Sequence, residues 1–302
     1  MTPPSPAKLP APAPLPEGAE IGGYRIVQAL SSGGFSIVYL AYTEQGEECV
    51  AIKEYMPADR ALRRPGDLVP YIGAEHIPLY RYGLAAFFEE ARILATISHP
   101  NITQVIELVR ANETIYMVMR FVEGTSLQRY IVSQRVAGRI AVLSEDFILA
   151  AFTRVLDGLH EVHSRNLLHL DLKPANIILQ PDGSPTLIDF GAARRTVGQE
   201  SASTMPMFTP GFAAPEAYQR NGAVGPWTDI YGIGACLLAC MSAKAPPEAT
   251  IRAREDLLPL SFEILERFYS PQLLAVTKAC LELDRSARPQ SARELSQRLT
   301  ER

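Results

Sequence analysis

Asp171, Lys173 and Asn176 fall within six residues of one another in the run HLDLKPANIIL, His169 to Leu179. An acid, a cation and an amide set so close, just ahead of apolar strand-formers, can serve one reacting centre. Beyond them Pro181-Asp182-Gly183-Ser184 reads as the tip of a tight β-hairpin joining Ile177–Gln180 to Pro185–Asp189. The ends of that hairpin deliver Asn176 and Asp189 near each other. Asp171, Asn176 and Asp189 offer oxygen without nitrogen or sulfur, a ligand set for a hard ion such as Mg²⁺ rather than for zinc. Lys173 is the nearby positive charge a phosphate would use. Singly, each acid reads as a cap or a turn residue; flanking one hairpin, the group is hard to explain that way.

A second group lies far upstream. Lys53 ends the apolar strand Val50-Ala51-Ile52, and Glu90 projects from the apolar stripe of a helix, three residues after Phe87 and four before Leu94. An unpaired buried charge costs several kcal/mol, so pairing Lys53 with Glu90 relieves both and leaves the lysine to meet an anion. Read alone, each could also be a surface charge whose stem lies along apolar neighbours. The loop Ser31-Ser32-Gly33-Gly34-Phe35-Ser36 between two strands could let backbone N–H groups approach phosphates, or could be a plain Gly-Gly hairpin turn.

The elements that must position these groups follow from texture. From Gly22 to about Met119 the pattern is strand-like, with Tyr24–Val27, Ser36–Leu40, Val50–Lys53, Val105–Val109 and Ile115–Val122 as runs, interrupted by one helix over Leu84–Ile97. Beyond Gly124 long helices are expected at Glu145–His163, Trp227–Met241, Pro271–Leu283 and Ser291–Thr300. Glu54 to Tyr82, rich in Pro and Arg, reads as a long functional or mobile connection. Seven prolines among the first sixteen residues mark 1–21 as an extended, disordered tail able to recruit a partner, and not as a signal peptide.

The 302 residues, 47% hydrophobic and 21% charged, suit a globular chain of one large domain or two lobes. A net charge of −4 without a basic stripe argues against a nucleic-acid surface. The longest apolar run, Ile230–Met241, falls short of the roughly 20 residues needed to span a bilayer. Cys49, Cys236, Cys240 and Cys280 form no C-x-x-C pair and read as reduced, which suits a cytoplasmic location.

Taken in order, these residues resemble the eukaryotic-like (bacterial-type) Ser/Thr protein kinase family over about Tyr24 to Thr300. The resemblance is carried by the glycine loop, V-A-I-K at Val50–Lys53, Glu90, H-x-D-L-K-P-x-N at His169–Asn176, D-F-G at Asp189–Gly191, A-P-E at Ala214–Glu216, W-T-D-I-Y-G at Trp227–Gly232, and Arg288-Pro289. The run Ile52–Pro57 with its long insert is similar to a bacterial subgroup. The resemblance implies an α+β, two-lobed fold: an antiparallel-sheet N-lobe over 22–119 with one main helix, a hinge over 120–124, and a mainly helical C-lobe over 125–302. It also implies ATP with Mg²⁺ (or Mn²⁺) and protein Ser/Thr substrates, this chain included. Lys53, held by Glu90, would bind the α- and β-phosphates, and Asp189 and Asn176 would hold the metal. Asp171 would accept the substrate hydroxyl's proton, Lys173 would neutralise the moving phosphoryl group, and Thr209 would line the substrate loop. The nucleotide would be contacted by Ser31, Gly33, Gly34, Phe35, Ser36, Val38 and Ala51, with Met119 as gatekeeper and Arg120, Phe121 and Val122 as hinge. Glu216 would pair with Arg288, and Asp229 would tie the catalytic loop to its lobe.

The chain departs from the family pattern in two places. Serines at 31 and 36 replace glycines, and Cβ atoms there restrict positive φ and close approach. Leu170 stands where most of the family has arginine, the usual receiver of an activation-loop phosphate, so activity is expected not to depend on phosphorylation between Arg194 and Thr209; Arg194 and Arg195 could substitute as receivers. A nucleotide-binding scaffold without turnover, or a small-molecule kinase of the aminoglycoside-phosphotransferase type, are the competing readings.

Overall fold

The computed structural model describes residues 11–134, 143–190, 194–195, 209–219 and 222–301. The chain divides into two units: one runs to Ser98 and resumes over Thr103–Phe121, and the other takes His99–Ile102 and the chain from Val122 onward.

The first unit is built on strands β1 (Glu20–Ile21), β2 (Tyr24–Ser32), β3 (Ser36–Thr43), β4 (Cys49–Tyr55), a short hairpin β5 (Ala61–Leu62) and β6 (Tyr71–Ile72), helix α1 (Ile77–Leu94), and strands β7 (Val105–Ala111) and β8 (Thr114–Arg120). Six strands form one sheet in the order β1-β2-β3-β4-β8-β7, antiparallel at every step. Alternation places Ile37, Tyr39 and Ala41 of β3 and Val50, Ile52 and Glu54 of β4 on one face. These apolar residues join Ile21, Ile26 and Val118 in one buried cluster.

Three expectations need correction here. Residues 11–21, expected to be part of a disordered tail, are packed: Leu15, Ala19 and Ile21 are buried in that cluster, and the Ile26 N–H bonds the Ala19 carbonyl at 2.8 Å. Proline lets a segment lie extended without forbidding it a docking site; the sheet face beneath offers Leu15 enough apolar surface to offset the ordering cost. The connection Glu54–Tyr82 is likewise structured, with Met56 and Ala61 buried beside two buried arginines, Arg60 and Arg63. Helix α1 begins seven residues before Leu84, at Ile77, because Pro78 sits in its first turn, where no intrahelical N–H is required. Its inner stripe runs Tyr80, Leu84, Phe87, Ala91, Leu94.

In the second unit come β9 (Thr125–Ser126), α2 (Leu127–Ser133), α3 (Glu145–Ser164), β10 (Leu167–Leu168), β11 (Ile177–Leu179), β12 (Pro185–Leu187), β13 (Arg194–Arg195), α4 (Pro226–Ser242), α5 (Ala249–Arg252), α6 (Leu258–Leu265), α7 (Pro271–Cys280) and α8 (Ala292–Thr300). Sequence pattern had not marked α2, α5 and α6, all short. Ser144 caps α3, whose buried Ile148, Phe152, Val155, Leu159 and Val162 mark its inner face. Helix α4 is buried from Thr228 to Met241, as expected of its apolar run, and packs on α7 while α3 packs on α8. Cys236, Cys240 and Cys280 are buried thiols within this core. Among the described residues no helix is long and apolar enough to cross a membrane.

Candidate active site

The hairpin read from Pro181–Ser184 is present: β11 and β12 pair antiparallel with Ile177 opposite Leu187. The Ile188 N–H bonds the Asn176 carbonyl at 2.9 Å, so Asn176 and Asp189 leave the hairpin at the same end. Ahead of it, a 3₁₀ turn over Pro174–Asn176 folds the chain back. The Asn176 Nδ2 then donates to the Asp171 carbonyl at 2.9 Å and to its carboxylate Oδ2 at 3.1 Å. With its nitrogen so engaged, the amide oxygen is the Asn176 side-chain atom that could serve a cation. Lys173 Nζ donates to Asp171 Oδ2 at 2.7 Å. The Thr209 hydroxyl donates to Asp171 Oδ1 at 3.0 Å and accepts from Lys173 Nζ at 3.1 Å. Carboxylate, ammonium and hydroxyl thus close a triangle drawn from positions 171, 173 and 209.

The loop that carries Asp171 is hung from α4. Asp229, 1% exposed, accepts from the His169 N–H at 2.8 Å through Oδ2 and from the Leu170 N–H at 2.7 Å through Oδ1. The His163 imidazole lies 2.8 Å from Oδ2 as well. Burial acts to raise the Asp229 carboxyl pKa, but the His163 hydrogen bond and charge, together with the His169 N–H, bring it below the ordinary value. Gly232, one turn on, lets the loop sit against the helix: a Cβ there would lie 2.8 Å from that of Leu172. Leu170 (φ 60°) and Asp189 (φ 59°) both occupy the left-handed region, a conformation that costs a non-glycine residue about 1–3 kcal/mol. The grip of Asp229 on the Leu170 N–H offsets that cost at one of the two.

His169 packs its ring 4.6 Å from that of Phe190, and its Nε2 lies 3.2 Å from the Ile188 carbonyl. Complete burial lowers its pKa against the pull of Asp229, Asp171 and Asp189. Further off, Arg288 and Glu216 form a buried two-point ion pair at 2.8 and 3.1 Å, and Thr228 adds a hydrogen bond at 2.8 Å.

In the first unit Lys53 is 1% exposed, standing between Val38 on β3 and Met117 on β8. Ala51 faces Met119 across the β4–β8 ladder, and Ser31 faces Val38 across β2–β3. Ser31, Val38, Ala51, Lys53 and Met119 therefore share one face of the sheet. Glu90 is half-buried on α1, which packs on β7 and β8. Arg120 is exposed at the end of β8, followed by half-buried Phe121 and Val122. The loop closes with a bond from the Gly33 N–H to the Ser36 carbonyl at 2.8 Å, and Gly34 and Phe35 form its tip. Ser31 and Ser36 lie in strands and neither has positive φ, so their Cβ atoms cost no backbone strain. Gly191 lies outside the described residues, as do 196–208, the stretch where activation-loop phosphorylation was expected to be dispensable, and the side chains of Arg194 and Arg195.

A sheet bearing a buried lysine, and a helical unit bearing an aspartate loop, a hairpin that Asn176 and Asp189 leave at one end and a buried Glu–Arg pair, are features of the protein-kinase organisation. The family described as "Protein kinase domain" matches residues 24–299, and the chain belongs to it. It is 28% identical over 287 residues to serine/threonine-protein kinase D of Synechocystis sp., covering 91% of this chain and 51% of that protein. It is 30% identical to CBL-interacting protein kinase 12 of Oryza sativa subsp. japonica, covering 76% of this chain and 38% of that one. The solved structure "PpkA-294 apo form" superposes with a TM-score of 0.77 at 36% identity, covering 95% of this chain and 99% of that one. The chain spans about half, or less, of the length of the curated relatives it matches.

Proposed function

We propose that the chain transfers the γ-phosphoryl group of ATP to Ser/Thr hydroxyls of proteins, itself included. The observation that carries this reading is the Thr209 hydroxyl donating to Asp171 Oδ1 at 3.0 Å while Lys173 bridges both. It is the contact a general base makes with the hydroxyl it deprotonates. In this reading a substrate hydroxyl takes the place of Thr209 Oγ1, Asp171 orients it and accepts its proton, and Lys173 spreads the charge of the phosphoryl group in transit. Asp189 and the Asn176 amide oxygen form a fitting donor set for Mg²⁺ or Mn²⁺. The ion, when bound, neutralises charge on the phosphates. Lys53, oriented by Glu90, engages the α- and β-phosphates, and the shared face of Ser31, Val38, Ala51 and Met119 takes the nucleoside along with the loop 33–36 and the hinge residues Arg120–Val122. In domain terms the sheet unit is the N-lobe, the helical unit the C-lobe, and 120–124 the hinge.

Purified protein given Mg-ATP and a generic Ser/Thr substrate tests the proposal. Transfer abolished in Asp171→Ala supports it. Thermal stabilisation by ATP with no phosphate incorporated removes it in favour of a nucleotide-binding scaffold, and transfer untouched in Asp171→Ala removes Asp171 from its role.

A further inference from the structure

Glu54, next to Lys53 in β4, points to the opposite face of the sheet and is completely buried, as is its partner Arg63. The guanidinium grips the carboxylate at two points, Nη1 to Oε1 at 2.6 Å and Nη2 to Oε2 at 2.7 Å. Its remaining donors reach further: Nη2 to the Tyr39 hydroxyl at 2.8 Å and Nε to the Ala13 carbonyl at 2.8 Å. Tyr39 in turn donates to Glu54 Oε2 at 2.7 Å and accepts the Leu15 N–H at 3.1 Å. The Ala13 N–H closes the circuit on the Arg63 carbonyl at 3.0 Å. Burial, then the charge of Glu54, pushes the Tyr39 phenol well up, so it remains a neutral donor.

This network holds more than itself. Directly after Glu54 the chain ties down the loop 33–36: the Met56 N–H bonds the Phe35 carbonyl and the Ala58 N–H the Gly34 carbonyl, both at 2.9 Å. Glu54 thus sits between Lys53 on one side and the residues that grip the loop on the other. A shift of β4 along its neighbours would move both together. Arg63, sequestered by the segment 13–15, supplies the charge that opposes the pull of the buried carboxylate toward water, and the Tyr39 hydroxyl adds a hydrogen bond.

We infer that Arg63 is a positioning residue for the nucleotide, and that residues 11–21 are a strap whose docking through Ala13 and Leu15 sets Lys53 and the loop 33–36 for ATP. The inference rests on the kinase reading in taking ATP as the ligand. Loss of Arg63 alone would leave Glu54 as an unpaired buried charge and could unfold the unit, so the deciding variants keep the charges balanced. They are deletion of residues 1–16, which spares the ion pair, and the double substitution Glu54→Met with Arg63→Met, which removes both charges.

Mg-ATP affinity by calorimetry, KM for ATP and kcat are measured on the full chain and on these two variants, with thermal unfolding as the check on folding. The expected result is a rise of about tenfold in Kd and KM for ATP with kcat changed by less than about threefold, since the interaction lost is one that binds ground and transition state alike. Asp171→Ala should show the reverse pattern, with kcat lost and Kd kept. A purely structural network would lower the unfolding temperature and the active fraction while leaving Kd alone. If the deletion variant, folded, binds Mg-ATP within about twofold of the parent, the inference is overturned whatever the double variant does. Failure of the parent to transfer phosphate would sink the kinase reading, and the binding measurements would still decide the role of the strap.

Discussion

The two units brace the backbone under their charged machinery from different places. In the helical unit the loop bearing Asp171 is gripped directly: a buried carboxylate, Asp229, takes its backbone N–H groups at 169 and 170, and Lys173, Asn176 and Thr209 converge on the acid itself. In the sheet unit the strand that carries Lys53 is also held from its far face, where the neighbouring Glu54 pairs with Arg63. Direct gripping ties the position of the acid to the core of its own unit. Support from the far face involves residues remote in sequence, among them Ala13 and Leu15, and under the inference above it makes the lysine sensitive to whether that segment is docked.

The sharpest break of this comparison is at the acid. Asp171→Ala is expected to lower the rate by about 10² to 10⁴, the worth of a positioned general base, with little change in unfolding midpoint; equal activity in the variant would remove Asp171 from its role. Next comes the anchor. Asp229→Ala leaves the buried His169 N–H unmet, at about 1–3 kcal/mol, and the part-buried Leu170 N–H unmet at less. A denaturant titration should show that loss, and retained activity in the surviving folded fraction would show that the loop does not need its hook.

A smaller effect is expected with acid. His169 is held below its ordinary pKa by burial, so the unfolded chain takes up this proton first. The stability involved is present above about pH 6.5 and drains away as pH falls toward the lowered folded value. Asp229, also lowered, contributes in a more acid window, present above about pH 3.9 and lost as pH falls through its folded value. Unfolding midpoints followed from neutral to mildly acid pH should therefore fall less steeply in His169→Phe than in the parent; parallel curves would exclude His169 as the source. Smallest of all is the loop. Because Ser31 lies in β2 without positive φ, Ser31→Gly is expected to cost about 0.5–1 kcal/mol as glycine does inside a strand. A gain in stability instead would mean that the serine is strained after all.

Much of this was legible from spacing. The hairpin at Pro181–Ser184 announces itself by turn chemistry, and that alone brings Asn176 beside the residues leading to Asp189. Glu216 with Arg288, and Asp229 with the catalytic loop, were expected from the resemblance and have their bonds. The start of α1 was missed because Glu54–Tyr82 was read whole as a connection, although Tyr80 already stands in register with Leu84 and Phe87. Glu54 was not singled out: read as the start of the connection, it gave no sign that it is buried, and nothing local says which of many arginines answers it.

The sequence by itself determined the kinds of chemistry available and the local turns that gather Asp171, Lys173 and Asn176, since contacts within a few residues are set by backbone geometry and side-chain type. Only the tertiary structure decided that a proline-rich segment is docked at Ala13–Leu15, that Arg63 meets Glu54, and that Thr209 reaches Asp171. Those outcomes turn on which buried surfaces and unpaired charges the finished fold leaves to be covered, and no short stretch of chain carries that information.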